Sequence, residues 1–305
     1  MYYANDTRIS CFRVIKDVLN ELYEKLPDPR TKDRIIGRNL KELREDYDSL
    51  SLGKLPKYAD IYRRFAYLYC YVPAHANIIY RLTEENLGDL FNTGVVKVSC
   101  LGGGPGSDLL GIIKFMVEQN KSAKLECRIF DKEDIWRDSW KSLCDNISIK
   151  IPKKIRHTFS ASSSYNLFDI TISDNWTKYS TLWDADLFIM SYFVSEVSSK
   201  EKYPETFFKH LFEKAKKGSY FLLVDNISCR SHYWFDYQIK SYNKLRSMGL
   251  LKQIRGSNKA VDKMPFDEEK TDLGHFFDKF RDISIPKTLG RDAPFVYRIY
   301  CKNQE

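Results

Sequence analysis

Three glycines at alternate positions, Gly102, Gly104 and Gly106, stand where an apolar β-type run at 95–101 stops and an amphipathic helical run from Ser107 to Met116 starts. Strand, glycine turn and helix together bring bare backbone N–H groups up to a nucleotide-like ligand. Gly103 lies in the same turn. The spacing narrows the ligand. A dinucleotide site needs glycines at the first, third and sixth positions, and Ser107 holds the sixth. A phosphate loop needs Lys-Ser or Lys-Thr directly after its glycines, and no such pair follows here. Pro105 stiffens the turn and removes one donor, which suits a ligand without a pyrophosphate. The plain alternative is a turn that only lets a helix lie close to a strand.

Further polar residues follow at the ends of β-type runs. The run at 125–130 ends in Asp131, whose place at a strand end favours accepting hydrogen bonds from ribose hydroxyls over capping a helix, though it can do both. A run at 168–173, read as the third strand, leads into Asp174-Asn175-Trp176, where an Asx-turn is an equal reading. A run at 186–191 ends in Ser191 and continues Tyr192-Phe193-Val194-Ser195-Glu196-Val197. Glu196 suits a base or an orienting group, and equally an exposed acid at a helix start. His75 and His232 are further candidates for taking a proton from a reacting group.

The strand followed by G-x-G-x-G with an internal proline resembles the first motif of the class I S-adenosylmethionine-dependent methyltransferases. The resemblance covers roughly residues 91–256 and the last strand. It implies S-adenosyl-L-methionine as cofactor, with Gly102, Gly103, Gly104 and Gly106 beneath its amino-acid part and Asp131 at its ribose. It places Asp174 and Trp176 at the adenine, and Ser191 at the cofactor where the acceptor approaches. The segment at 191–197 is similar to segments of ribosome-associated and small-molecule methyltransferases. It lacks the Asn/Asp-Pro-Pro-Tyr motif of enzymes that methylate nucleobase amines. The chain departs from the family at Cys100, where an acid is usual. The implied fold is α/β: a Rossmann-like, seven-stranded, mostly parallel sheet with an antiparallel terminal strand, preceded by an N-terminal helical region. The implied activity is methyl transfer to an unidentified small-molecule or macromolecular acceptor. A catalytically inactive methyltransferase-like binding or assembly protein is the alternative that Cys100 supports. An NAD-dependent oxidoreductase is a third reading, which Ser107 disfavours.

The elements that must hold these residues read as follows. Residues 1–90 form a helical cap region. Cys11, Ile15, Val18, Leu19, Leu22 and Leu26 recur at helical spacing and are stopped by Pro27 and Pro29. A charged helix is expected at 32–50, an aromatic-rich one at 58–71, and another after Pro73. Among their residues Tyr69, Tyr71 and His75 are the ones to watch. The methyltransferase-like part spans 91–305, with strands expected at 220–224, 250–254 and 295–301 and a helix at 231–248. The connection at 257–293 is long for a hairpin and reads as an insert or lid. The basic stretch around Lys153 and Lys154 reads as a second insertion.

Composition excludes other classes. No apolar stretch approaches about 18 residues, so no membrane span is expected. Seven cysteines without a C-x-x-C pair or a histidine cluster argue against zinc and a disulfide framework, and for a reducing compartment. With no apolar leader at the N-terminus, a cytoplasmic protein is expected, a nuclear one being the lesser alternative. The net charge is +8. Nearly all of the excess lies after residue 90, in mild runs that read as solvated surface. RNA as an acceptor is compatible with a basic face but not indicated, since no aromatic-interleaved RNA motif is present. The oligomeric state is not legible.

Overall fold

The computed structural model describes residues 8–48, 56–92, 94–152, 160–198, 203–245, 250–257, 259, 261, 270–282 and 295–303. Four helices come first: α1 (Cys11–Glu24), α2 (Lys32–Asp48), α3 (Ile61–Cys70) and α4 (Val72–Asn86). Their caps are the local reason for their starts. Ser10 accepts from the Arg13 N–H at the head of α1, and Asp60 accepts from the Tyr62 N–H at the head of α3. Pro73 sits in the first turn of α4, where its missing N–H costs nothing.

Alternation of strand and helix follows. The elements are β1 (Val95–Leu101), α5 (Ser107–Glu118), β2 (Lys124–Asp131), α6 (Arg137–Lys150), β3 (Ala161–Leu167), α7 (Ser173–Lys178), β4 (Leu187–Ser191) and α8 (Val194–Val197). Then come α9 (Tyr203–Lys214), β5 (Tyr220–Asn226), α10 (Ser231–Leu245), β6 (Leu251–Gly256), α11 (His275–Phe280) and β7 (Phe295–Lys302). The seven strands form one sheet in the order β3-β2-β1-β4-β5-β7-β6. Strands β1 to β5 pair in parallel, and β7 runs antiparallel to both β5 and β6. The fold is therefore the α/β sheet with one antiparallel strand that the sequence implies.

The central strands are buried on both faces, and side-chain alternation divides them between two cores. In β4, Leu187 and Ile189 join one apolar cluster while Phe188 and Met190 join the other. β5 does the same with Leu222 and Val224 against Phe221 and Leu223. The first cluster also holds Phe12, Ile15 and Leu19 of α1 and Ile79 of α4, so helices α1 to α4 share a core with α5, β1 and β2. α4 crosses α5 at Gly111, where a Cβ would lie 2.3 Å from the Ala76 carbonyl oxygen. Only glycine permits that approach.

The third strand is a correction. It is 161–167, not 168–173. β3 is an edge strand, paired only to β2, and of its seven residues only Tyr165 is buried. An edge strand exposed on both faces needs no apolar run, so Ala-Ser-Ser-Ser-Tyr-Asn-Leu gives no strand signal in the sequence. Phe168 and Ile170 are instead loop residues buried in the second core. Of the 257–293 insert, the described part at 270–282 docks on the N-terminal helices, with Phe276 edge-on to Tyr23 and Phe65. Most of the remainder, and Lys153 and Lys154, lie outside the described residues.

Candidate functional site

Strand order reverses at β1, with β2 on one side and β4 on the other, which opens a crevice past the carboxyl ends of these strands. The glycine turn leaves β1 there. Gly102, Gly104 and Gly106 have φ of +64°, +49° and +98°, so the chain enters the left-handed region at every second residue. This is the physical reason for the alternate spacing. The four glycines of the turn face different surroundings. A Cβ on Gly102 would meet the Phe193 ring at 2.4 Å, and one on Gly106 would meet Leu143 at 3.0 Å. A Cβ on Gly103 would meet Ile129 at 2.9 Å. One on Gly104 would meet nothing within 4 Å, because Gly104 faces the open cleft.

Asp131 closes the turn from the end of β2. Its Oδ2 accepts the Gly104 N–H at 2.9 Å and its Oδ1 accepts the Glu133 N–H at 2.9 Å. Each oxygen keeps a lone pair for a further donor. Burial pushes its carboxyl up to about 6, against the pull of the two amides. It does not cap α6, which begins at Arg137.

The cleft encloses about 890 Å³, its solvent mouth included. Leu101, Gly102, Gly104 and Asp131 form one end. Phe168, Asp169 and Ile170 line it from the loop after β3. Ser191, Tyr192, Phe193 and Glu196 line it from the end of β4 and the start of α8. Tyr47, Tyr58, Tyr67 and Trp136 form the wall opposite, three of them from the N-terminal helical region. Tyr192 has φ +56°, uncommon for an aromatic residue and costing of order 1–3 kcal/mol. It is held by its N–H to the Val224 carbonyl at 2.7 Å and by stacking on His75 at 4.1 Å. The next turn is fixed by Asp225, which accepts the Ser195 N–H at 2.8 Å.

The crevice thus brings together Gly102, Gly104, Asp131, Ser191 and Glu196. The other candidates stand elsewhere. Gly103 faces the sheet and Gly106 faces α6. Asp174 is exposed on α7. Trp176 donates its indole N–H to the Ile170 carbonyl at 3.1 Å and packs on Phe207 and His210. His75 lies behind Tyr192, and burial pulls its imidazole down to about 3, so it is neutral. His232 is buried in α10, and neither ring nitrogen has a hydrogen-bond partner among the described residues.

Sequence reasoning missed Asp169 and Ile170 because the polar edge strand that precedes them was not recognised. Tyr47 carries no signal beyond composition, and Tyr58 only opens the aromatic-rich run at 58–71. Tyr67 belongs to the aromatic-rich run, but periodicity does not say which face meets a ligand. Tyr69 faces the core against Phe280, whereas Tyr67 faces the cleft. One more group lies beneath the turn. Asp108, in the first turn of α5, is 1 % exposed beside the Cys100 thiol and the Ser191 hydroxyl, and burial pushes its carboxyl up to about 7. Cys100 itself is a buried thiol 3.6 Å from that of Cys127.

Among the described residues, no group of histidine, cysteine and acidic side chains could hold a metal ion, and no helix is long and apolar enough to cross a membrane.

No protein-family model and no curated protein sequence matches the chain. Solved structures with which it shares similarity include an S-adenosylmethionine-dependent methyltransferase from Methanosarcina mazei, at 13 % identity over 72 % of this chain and 98 % of that one, with a TM-score of 0.38. Another is the N-methyltransferase NodS from Bradyrhizobium japonicum, at 11 % identity over 75 % and 98 %, with a TM-score of 0.34. A third is a TehB-like methyltransferase from Corynebacterium glutamicum, at 12 % identity over 87 % and 98 %, with a TM-score of 0.39.

Proposed function

We propose that this chain is a class I S-adenosylmethionine-dependent methyltransferase. The observation that carries the reading is the paired geometry at the switch point: a turn whose alternate glycines are all left-handed, with Gly104 open to the cleft and Asp131 bound to its N–H. An open glycine backbone with few spare N–H donors, beside a buried carboxylate, suits an adenosyl compound that has hydroxyls and no phosphate. Phe168 and Ile170 offer apolar surface next to Asp169, which suits a flat base with an exocyclic amine. The charges agree. Asp131, Glu133, Asp169 and Glu196 line the cleft, and Lys132, the one cation among the described lining residues, lies 3.7 Å from Glu133. A cationic sulfonium enters such a cleft favourably.

The bound cofactor supplies a methyl group already activated by its positive sulfur. The protein's work is then chiefly positioning, which is why no dedicated nucleophile is needed. Gly102 and Gly104 let the turn approach the ligand, Asp131 orients its sugar, and the strained Tyr192 sets the wall where an acceptor meets it. Glu196 is placed to take a proton from that acceptor. His75 and His232 are not, since neither lines the cleft.

Cys100 leaves the family's usual acid missing, which favours the inactive binding protein as the second reading. Asp108 answers it, because its carboxylate lies beside the Cys100 thiol beneath the same turn. Two measurements test the proposal. Calorimetry should show S-adenosylhomocysteine binding at micromolar strength, weakened at least tenfold by Asp131→Ala, and no binding of NAD. Incubation with labelled S-adenosylmethionine and separate metabolite and RNA fractions should then place label on one of them. Cofactor binding without any transfer would establish the inactive reading, and no cofactor binding would end both.

A further inference from the structure

The wall supplied by the N-terminal helices differs from the rest of the cleft. Tyr67 on α3 lies 5.2 Å from Tyr58 and 5.1 Å from Trp136 between ring centroids, and Tyr58 lies 4.9 Å from Trp136. The Tyr47 and Tyr58 hydroxyls share a hydrogen bond of 2.7 Å. Glu196 faces the same space from the first turn of α8. Burial, and after it the Glu196 charge, hold the Tyr58 and Tyr67 phenols protonated. Among the described residues the wall is therefore aromatic, rich in oxygen acceptors, and charged only by a carboxylate.

That chemistry discriminates among acceptors. A carboxylate or phosphate would lose its water to a wall whose described residues offer it no cation, which is costly. A neutral hydroxyl would gain hydrogen bonds, one of them to the carboxylate, but neither ion-pair attraction nor a cation's attraction to the ring faces. An ammonium group gains from both. Ring faces attract a cation by about 0.5–2 kcal/mol each, more where water is excluded, and the carboxylate adds a charge-assisted hydrogen bond.

We propose that this wall is the acceptor site, and that it takes an aliphatic amine in its ammonium form for methylation on nitrogen. The inference rests on the methyltransferase reading above. In the step, an ammonium N–H gives its proton to the Glu196 carboxylate. The freed lone pair forms the N–C bond to the methyl carbon of the sulfonium donor. The C–S bond breaks with its electron pair going to sulfur, leaving a neutral thioether, and Glu196 later passes its proton to water. Tyr47, Tyr58, Tyr67 and Trp136 bind and orient the amine.

The test uses the whole chain loaded with S-adenosylhomocysteine, whose sulfur carries no charge, so the cation site stays separate from the donor site. Tetramethylammonium is titrated by saturation-transfer NMR against tert-butyl alcohol, a neutral molecule of its size and shape, and against the anions acetate and methyl phosphate. The cation should saturate at least tenfold more tightly than the alcohol, and neither anion should saturate. Glu196→Gln and, separately, Tyr67→Leu should each weaken the cation at least fivefold while S-adenosylhomocysteine affinity stays within twofold, which also shows that the variants fold. Equal affinity for cation and alcohol, a saturating anion, or no saturation at all would overturn the amine site. Failure of S-adenosylhomocysteine to bind would instead overturn the donor reading, and the same titration on the free protein would still judge the wall.

Discussion

The two ends of the cleft are built in opposite ways. The turn end is backbone: five consecutive residues, 102–106, shaped by their dihedral angles and closed by an acid at the end of the adjacent strand, which accepts the Gly104 N–H. The opposite wall is side chain: Tyr47, Tyr58, Tyr67, Trp136 and Glu196 come from five places separated along the chain and meet only in the folded protein. A backbone site tolerates almost no substitution at its glycines and is largely indifferent to side chains elsewhere. A side-chain site can change its ligand one residue at a time, without touching the fold. On the proposed reading, donor recognition belongs to the first kind and acceptor recognition to the second. If this division is right, each end should fail independently of the other.

The largest effect is expected from filling the turn end. Gly104→Trp places a ring in a space where a Cβ meets nothing, so the fold has room for it while the cleft does not. The φ of +49° adds about 1–2 kcal/mol of strain, which the domain should survive. S-adenosylhomocysteine affinity should fall more than a hundredfold by calorimetry, with the circular dichroism spectrum kept. Gly102→Ala is the contrast, because its Cβ would meet the Phe193 ring. It should lower Tm as well as affinity. Equal stability loss in the two variants would show that the turn is only a packing device.

The same contrast explains what was legible in the sequence. The glycine turn and Asp131 could be read because their signals are local: dihedral demands fix residue types at fixed spacing, and an acid at a strand end needs no knowledge of the rest. The sheet could be read for β1, β2, β4, β5 and β7, whose apolar runs reflect burial on both faces. β3 could not, because an edge strand bears no such burial, and the error passed on to the acid assigned after it. Tyr69 and Tyr67 make the same point on a helix. They are two residues apart in one aromatic run, and one faces the core while the other faces the cleft. Only the packing of α3 on its neighbours decides which.

A second, smaller effect probes the floor beneath the turn. Asp108 is buried and its carboxyl is raised to about 7. A raised carboxyl favours the protonated form in the folded state, so folding is most favoured below the unfolded value near 4 and loses stability as pH climbs towards 7. The loss above pH 7 should be on the order of 2 kcal/mol once relaxation around the charge is allowed for. Asp131, raised to about 6, contributes with the same sign. Asp108→Asn keeps the shape and removes the titration. Urea unfolding at pH 5 and pH 8 should therefore show a smaller difference for the variant than for the parent chain. An unchanged difference would mean that Asp108 is ionised throughout that range and is paired more strongly than its surroundings indicate.

The smallest effect concerns the loop between the two ends, where a single helix start separates two acids. Asp169 lines the cleft, and its Oδ1 is anchored by the N–H and hydroxyl of Thr171, each at 2.8 Å. Asp174 lies five residues on, exposed on α7. If the loop after β3 serves the donor, Asp169→Ala should weaken S-adenosylhomocysteine about tenfold, the roughly 1.4 kcal/mol of one hydrogen bond to a charged group. Asp174→Ala should leave it within twofold. Neither change should move tetramethylammonium binding, because the aromatic wall takes nothing from this loop. An Asp169→Ala variant that lost the cation and kept the donor would shift the boundary between the two ends, making the β3 loop part of the acceptor site.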